Sequence, residues 1–412
     1  MKHIFINMSK VEVAFTVKVE EFIAHTGPKL TYSKQPLQNE FFIRSHELLF
    51  EQGIRNVEIN VQDWEGTPCI FPVGERSTIP FDIFAASFYL ISRYEEYLPH
   101  VKDEHGRYPA TESIAFKNNF LELPVIDIWA LKLKQVLLRR FPEMYSPVRR
   151  YRHISLIDVP VAYCFRKRGF IRTLGGTLVD LFSFRIKRIL KRYATLMGFF
   201  RDPYDNFEEL IELHKHYDVD AMYFFLMADY SNYDKNISVT NKEFCSLVKS
   251  VADYSIVSLM ASYQSAIDIK MLKRERSRLI NLINRPVKKV RLRYNKINIP
   301  ETYEAFLEAE FNEDYTMGYS HHAGFRAGTC TPFYLYNINF EAQLPIKVNP
   351  FSIQDHALLR KPTMEEVKKT LFNIRDEVKK VKGTFITVFS NEILGDETTH
   401  KWKELYRELI KK

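Results

Sequence analysis

Cysteine is scarce in this chain: four in 412 residues, Cys69, Cys164, Cys245 and Cys330, far apart and with no CxxC pair. That spacing excludes a disulfide framework and a zinc ribbon, and it makes a reducing cytoplasm the simplest location. Long apolar runs are missing too, since nothing approaches the ~18 residues that a membrane span requires. The opening M-K-H-I-F-I-N-M-S-K lacks a long apolar core and a small-residue cleavage site, so it reads as a first strand and not as a secretion signal. No recognised nucleic-acid motif accompanies the basic residues, so nucleic acid is not an expected partner.

What is present is the composition of a large globular protein. Hydrophobic residues make up 46% and aromatics 14% of the chain. Its length exceeds one usual core, so two domains, or a barrel with an appendage, are expected. The net charge of +8 is concentrated: Arg166–Arg192 carries nine Lys/Arg against Asp180 alone, and Lys270–Lys296 carries eleven against Glu275 alone. Those segments give 20 − 2 = +18, so the remainder is 39 − 49 = −10. The split implies a local basic surface suited to an acidic glycan or an anionic membrane face.

Residues 1–148 alternate strand-like and helix-like patches. V-E-V-A-F-T-V-K-V (11–19) and N-V-E-I-N-V (56–61) alternate as half-buried strands do, while 45–52 reads as a short helix ended by Gly53. Asp82–Tyr97 and Asp127–Phe141 carry helical stripes, and Pro142 and Pro147 mark a boundary. Beyond it, H-I-S-L-I-D-V-P (153–160) is a buried-strand pattern ending in a carboxylate, and the C-terminal end of a barrel strand is where barrel enzymes do chemistry. Asp158 is therefore the first candidate, with a turn cap as the alternative. Helix and strand then alternate at the period of a βα unit through 221–229, 256–261, 288–294 and 383–391, which points to a largely parallel α/β barrel.

Three further stretches stand out. Residues 179–200 carry Phe182, Ile186, Ile189, Leu190, Tyr193, Leu196, Met197 and Phe200 at helical spacing, flanked by Arg185, Arg188, Lys191 and Arg192. Such a stripe either packs on its own domain or lies on an anionic membrane surface. His214 and His216 imitate a metal pair, but i and i+2 on a helix point apart. Asp314–Tyr336, D-Y-T-M-G-Y-S-H-H-A-G-F-R-A-G-T-C-T-P-F-Y-L-Y, gathers Gly318, Gly324, Gly328 and Arg326 in a segment too irregular for one helix or strand. It reads as a loop over a scaffold, its glycines allowing close approach to a ligand and Asp314 available to Arg326. His321 and His322, adjacent on an extended segment, face opposite ways.

This last stretch resembles the polysaccharide deacetylase-like proteins of Bacteroidetes, relatives of carbohydrate esterase family 4. P-F-D-I-F-A-A-S-F-Y-L-I-S-R-Y-E-E-Y (80–97), D-E-H-G-R-Y (103–108) and L-P-V-I-D-I-W (123–129) extend the resemblance over nearly the whole chain. It implies an incomplete (β/α) barrel over 149–412 behind an N-terminal α/β domain over 1–148. It also implies a carbohydrate partner and deacetylation with a divalent metal such as zinc, a carboxylate base and a histidine acid.

The chain departs from that pattern at four places. D-V-P-V-A-Y stands where the branch has D-I-D-N-A-Y, keeping Asp158 at the base-like position but putting Pro160 at a metal ligand. M-A-S-Y has Met260 where H-P-S-Y has His; V-R-L-R-Y keeps Arg291 but has Arg293 for His; F-S-N-E has Ser390 for the His of W-H-N-E. These side chains are poor ligands for a divalent cation, so no metal cofactor is expected. The resemblance then implies a catalytically silent cleft lined by Asp158, Tyr263, Arg291, Arg293, Asp314, Arg326 and Asn391. Such a cleft would still bind a carbohydrate, and its guanidinium forks suit an anionic one. An active deacetylase with atypical ligands and a membrane-surface scaffold docked through 179–200 are the alternatives.

Overall fold

The computed structural model describes residues 1–145, 147–395 and 400–411. The first part carries the short strands β1 (Leu30–Ser33), β2 (Phe41–Arg44), β3 (Val61–Asp63) and β4 (Pro68–Ile70) in two two-stranded sheets. With them stand helices α1 (Val19–Ala24), α2 (Ile83–Ile91), α3 (Tyr94–Tyr97), α4 (Ile114–Lys117) and α5 (Val125–Arg140).

Three strand expectations fail here. His3–Met8 is helical, because Ile4, Phe5 and Met8 bury at helical spacing, with Phe5 against Phe84. Residues 11–18 and 56–60 are irregular; only Val61 of the second stretch enters a strand. The 82–97 helix is real but broken. Asp82 caps α2 by accepting from the Phe84 and Ala85 amides, and Arg93 leaves the helical region at φ 57 before α3 begins.

The second part is a nine-stranded sheet with helices packed outside it, an α/β fold of the incomplete (β/α) barrel kind. Its strands are β5 (Arg152–Val159), β6 (Asp220–Leu226), β7 (Ile256–Ala261), β8 (Lys289–Leu292), β9 (Glu313–Asp314), β10 (Phe333–Asn337), β11 (Ala342–Val348), β12 (Ile353–Gln354) and β13 (Thr384–Ser390). They run β10-β11-β9-β8-β7-β6-β5-β13-β12, parallel except for the β10–β11 pair, and β10 and β12 remain open edges. The connecting helices are α6 (Phe170–Phe182), α7 (Ile186–Leu196), α8 (Phe207–His216), α9 (Lys242–Tyr254), α10 (Ile269–Ile283), α11 (Glu301–Glu308), α12 (Asp355–Leu358), α13 (Met364–Lys380), α14 (Asn391–Gly395) and α15 (His400–Ile410).

Strand alternation sorts the sheet's side chains into two layers. Ile154, Leu156, Met222, Phe224, Leu226, Met260, Tyr315, Ile386 and Val388 form one buried cluster inside the curved sheet. Ile157, Tyr223, Phe225, Leu259, Val290, Phe385 and Phe389 pack outward under the helices. His214 belongs to that outer layer: it is buried, bonded to Tyr406 and Tyr223, and burial holds its pKa at about 4. His216 is exposed.

The 314–336 segment spans the two parts. A Cβ on Gly324 would lie 2.4 Å from the Leu121 carbonyl oxygen, and one on Gly328 would lie 2.8 Å from Leu90. The Phe325 amide donates to Leu121 and the Ile126 amide to Gly328. These glycines therefore permit close approach to the N-terminal part of the chain and not to a ligand.

Candidate functional site

Asp158 ends the inner row of β5, one step beyond Ile154 and Leu156, so it caps the apolar interior at the C-terminal end of the sheet. Register fixes its neighbours: Ser390 of β13 lies beside it, and Met260 of β7 lies beside Arg291 of β8. Arg291 donates its Nε to both Asp158 oxygens at 3.0 Å. Its other nitrogens donate to the Tyr315 carbonyl at 2.7 Å and to the Asn295 side chain at 2.9 Å, and the guanidinium lies over Phe351. Burial raises the Asp158 pKa, opposed by the Arg291 charge. The pair is thus a buried carboxylate neutralised in place by a guanidinium whose remaining donors are used.

Past β8 the backbone is strained. Tyr294 and Asn295 sit consecutively at φ 60 and φ 52, a region that side chains rarely occupy. The Arg291–Asn295 bond holds this turn, together with Asn295 donating to Gln354 at 2.6 Å. Strain of this kind persists where surroundings over-determine it, commonly at ligand sites. Here it places Arg293 and Tyr294 against the loop after β6.

Arg293 is paired with Asp234 at 3.2 Å and donates to the Tyr233 carbonyl at 3.2 Å. Tyr263 stacks on Tyr233 with centroids 4.0 Å apart, meets Tyr294 edge-on, and carries the Lys296 ammonium 4.0 Å from its ring centroid. His105, from the N-terminal part, approaches the same rings. Loops after β6, β7 and β8 and one N-terminal loop thus build an aromatic wall edged by Lys296 and Arg293.

The other expected residues serve different places. Arg326 is buried and grips Glu96 through Nε at 2.9 Å and Nη2 at 2.6 Å, so Glu96 and not Asp314 is its partner. Arg93 donates to Glu96 at 2.7 Å and Glu95 at 2.8 Å, completing a charged knot between the two parts of the chain. Asp314 is fully buried and accepts from Thr316 and Tyr303; burial raises its pKa to about 6 against those bonds. Asn391 is buried and donates to the Val161 and Tyr204 carbonyls at 3.0 Å. These three hold framework, and the structure does not bring Arg326 to Asp158.

Two acids went unremarked in the sequence. Asp355, after β12, accepts from the Ser390 amide at 2.7 Å, and its charge is felt by both Asp158 and Glu392. Glu392, beginning α14, has its pKa raised by burial, opposed by Arg293 and Arg168. Glu392 and Asp158 both feel the Asp355 charge, which raises the pKa of each.

A divalent metal does not fit this donor set. Pro160 has no donor atom, Met260 is a buried thioether within the apolar cluster, Arg293 is a cation already paired, and Ser390 Oγ accepts from the Ile393 amide. Both Asp158 oxygens face Arg291. Among the described residues no group of three His, Cys, Asp or Glu side chains is placed to hold a metal ion. His321 contacts Arg107 and His322 the Phe116 ring.

The family model of a family of unknown function, DUF7033, matches residues 1–142. No curated protein matches the chain. Among solved structures it is similar to a protein from Mycobacterium smegmatis assigned as a polysaccharide deacetylase, at 12% identity and a TM-score of 0.40, over 64% of this chain and 85% of that one. It is also similar to the polysaccharide deacetylase Bc1974 from Bacillus cereus, at 11% identity and a TM-score of 0.32, over 64% and 88%.

Proposed function

We propose that this chain is a polysaccharide deacetylase-like protein of the Bacteroidetes kind that binds a carbohydrate, anionic by preference, without hydrolysing it. The observation that carries the reading is the donor set around Asp158, where Pro160, the buried thioether of Met260, the ion-paired Arg293 and the Ser390 hydroxyl stand at the positions where metal-assisted chemistry would need ligands. Around that closed centre the means of binding remain. Tyr233, exposed and backed by the Tyr263 ring, offers an apolar face for a pyranose, and the partly exposed Arg293 offers charge at its edge. In this reading residues 1–148 form the N-terminal domain and 149–412 the binding barrel, and the protein works in the cytoplasm. Four free thiols, three of them buried, agree with a reducing location.

The test is calorimetric titration of N-acetylated and uronic-acid oligosaccharides in EDTA, with the wild-type chain and Arg293→Ala. Retained binding in EDTA that weakens in the variant, with acetate release at background, is the expected result. A second reading, an active N-acetyl-sugar deacetylase with atypical ligands, draws on Asp355, whose charge acts on both the Asp158 and the Glu392 carboxyls. Zinc-stimulated acetate release that Glu392→Gln abolishes would favour it over the first.

A further inference from the structure

The 179–200 stripe does not pack on its own domain. α6 and α7 form a hairpin, turned at Phe184 with φ 54, whose polar groups lie inside and whose apolar groups lie outside. Buried between the helices, Arg192 pairs with Asp180 and donates to Thr177 at 2.8 Å. A Cβ on Gly176 would lie 3.1 Å from that guanidinium, so the glycine makes room for it. Outside, Phe170 (81% exposed), Phe182 (80%), Leu190 (66%) and Met197 (67%) meet solvent. Phe170, Leu174, Leu178 and Phe182 share one face of α6, and Ile186, Leu190, Tyr193 and Met197 share one face of α7.

Cations surround this face. Residues 166–201 hold ten Lys/Arg and one acid, and Arg185, Lys187 and Arg188 stand exposed at the turn. Between the helices opens an apolar groove of about 330 Å³, lined by Phe165, Phe170, Leu174, Tyr193 and Leu196, with Arg168 beside it. No helix of the described residues is long and apolar enough to cross a membrane.

We infer that the α6–α7 hairpin docks in the plane of an anionic membrane surface, its apolar face in the acyl boundary and its cations among the headgroups. Phenylalanine and leucine on one face with lysine and arginine around it suit a bilayer interface; a protein interface is ordinarily depleted of lysine at its centre. Arg185, Lys187 and Arg188, exposed at the turn, give the complementarity that anionic lipid supplies.

Docking also fixes what faces the membrane. Arg172 of α6 lies 3.7 Å from the Tyr230 ring centroid and donates to the Asn236 carbonyl, in the loop after β6 that carries Tyr233 and Asp234. The docked hairpin is therefore tied to the loop that carries the aromatic wall, and the glycan taken there would be a membrane-attached one, a step that rests on the carbohydrate reading above.

The full chain is floated with phosphatidylcholine vesicles, with and without phosphatidylglycerol, at low and high salt. Flotation is expected only with phosphatidylglycerol and is reduced by salt. Arg185→Glu with Lys187→Glu should lower partitioning at least roughly 25-fold, at about fivefold per cation lost. Phe182→Glu with Leu190→Glu should abolish it, while Phe182→Trp should float and blue-shift its emission on binding. Wild-type chain left unbound at low salt, undiminished flotation of either Glu variant, or an unshifted indole emission in Phe182→Trp overturns the inference. So does a Glu pair that instead converts an oligomer to a monomer, since the face would then be a protein interface. Flotation without glycan binding would overturn the carbohydrate reading and leave the docking intact.

Discussion

Arg291 Nε stands 3.0 Å from each oxygen of Asp158, across strands that are not neighbours in the sheet. Removing one member leaves the other buried and unpaired. Arg291→Met should therefore destabilise the chain by about 3–5 kcal/mol in urea unfolding. Adding Asp158→Asn should recover part of that loss, because no lone charge remains; a double variant as unstable as the single would show that the bond to the Tyr315 carbonyl dominates.

The Arg93–Glu96–Arg326 knot should respond to acid. Burial alone would raise the Glu96 pKa, but Arg326 and then Arg93 outweigh it and hold it at about 2. Its folded value lies below the unfolded carboxylate value, so its stabilisation is complete above about pH 4.5 and disappears as pH falls through 2. The amount is on the order of 3 kcal/mol. Glu96→Gln should lower the thermal midpoint at pH 7 and flatten its fall between pH 4 and 2. An unchanged acid limb would mean that the arginines find another partner.

Asp314 should act in the opposite sense. Its folded pKa of about 6 lies above the unfolded value, so the folded chain binds the proton more tightly and this group stabilises increasingly as pH falls from 7 towards 4. Glu275, also raised to about 6 by burial, adds to the trend. Buried histidines such as His153 and His214, held at about 3 and about 4, pull the opposite way over this range, so the test is by difference: Asp314→Asn and Glu275→Gln should each shift the slope of urea midpoint against pH between 7 and 5 towards less stabilisation at the acid end. Parallel pH profiles for wild type and both variants would contradict these assignments.

Local pattern made much of the barrel legible. The 153–160 run shows its strand because both faces are apolar, and its terminal acid stands out for that reason. The same local logic misreads 1–10 and 11–19, where Ile4, Phe5 and Met8 choose a helical period and the later alternating valines find no strand partner. The break at Arg93 was invisible because its cause is 230 residues away, in the pairing of Glu96 with Arg326. Asp355 is hidden for a like reason: it reaches the Asp158 neighbourhood by accepting from the amide of Ser390, which strand register and not sequence spacing sets beside Asp158. The stripe in 179–200 was legible, yet its direction was not, because periodicity shows that a face exists and says nothing of which way it turns.

The aromatic wall gives the most direct test of ligand binding. Tyr263 is half-buried and its ring contacts are with Tyr233, Tyr294, His105 and Lys296. Tyr263→Ala keeps the backbone amide that donates to Asp234, so the loop after β6 stays attached while the ring that backs the exposed Tyr233 face is lost. Oligosaccharide affinity should fall by about 1 kcal/mol, near fivefold, with the thermal midpoint little changed. Tyr263→Phe should retain affinity, because the ring and not the hydroxyl supports Tyr233. Equal affinity for wild type and Tyr263→Ala would place the carbohydrate elsewhere on the chain.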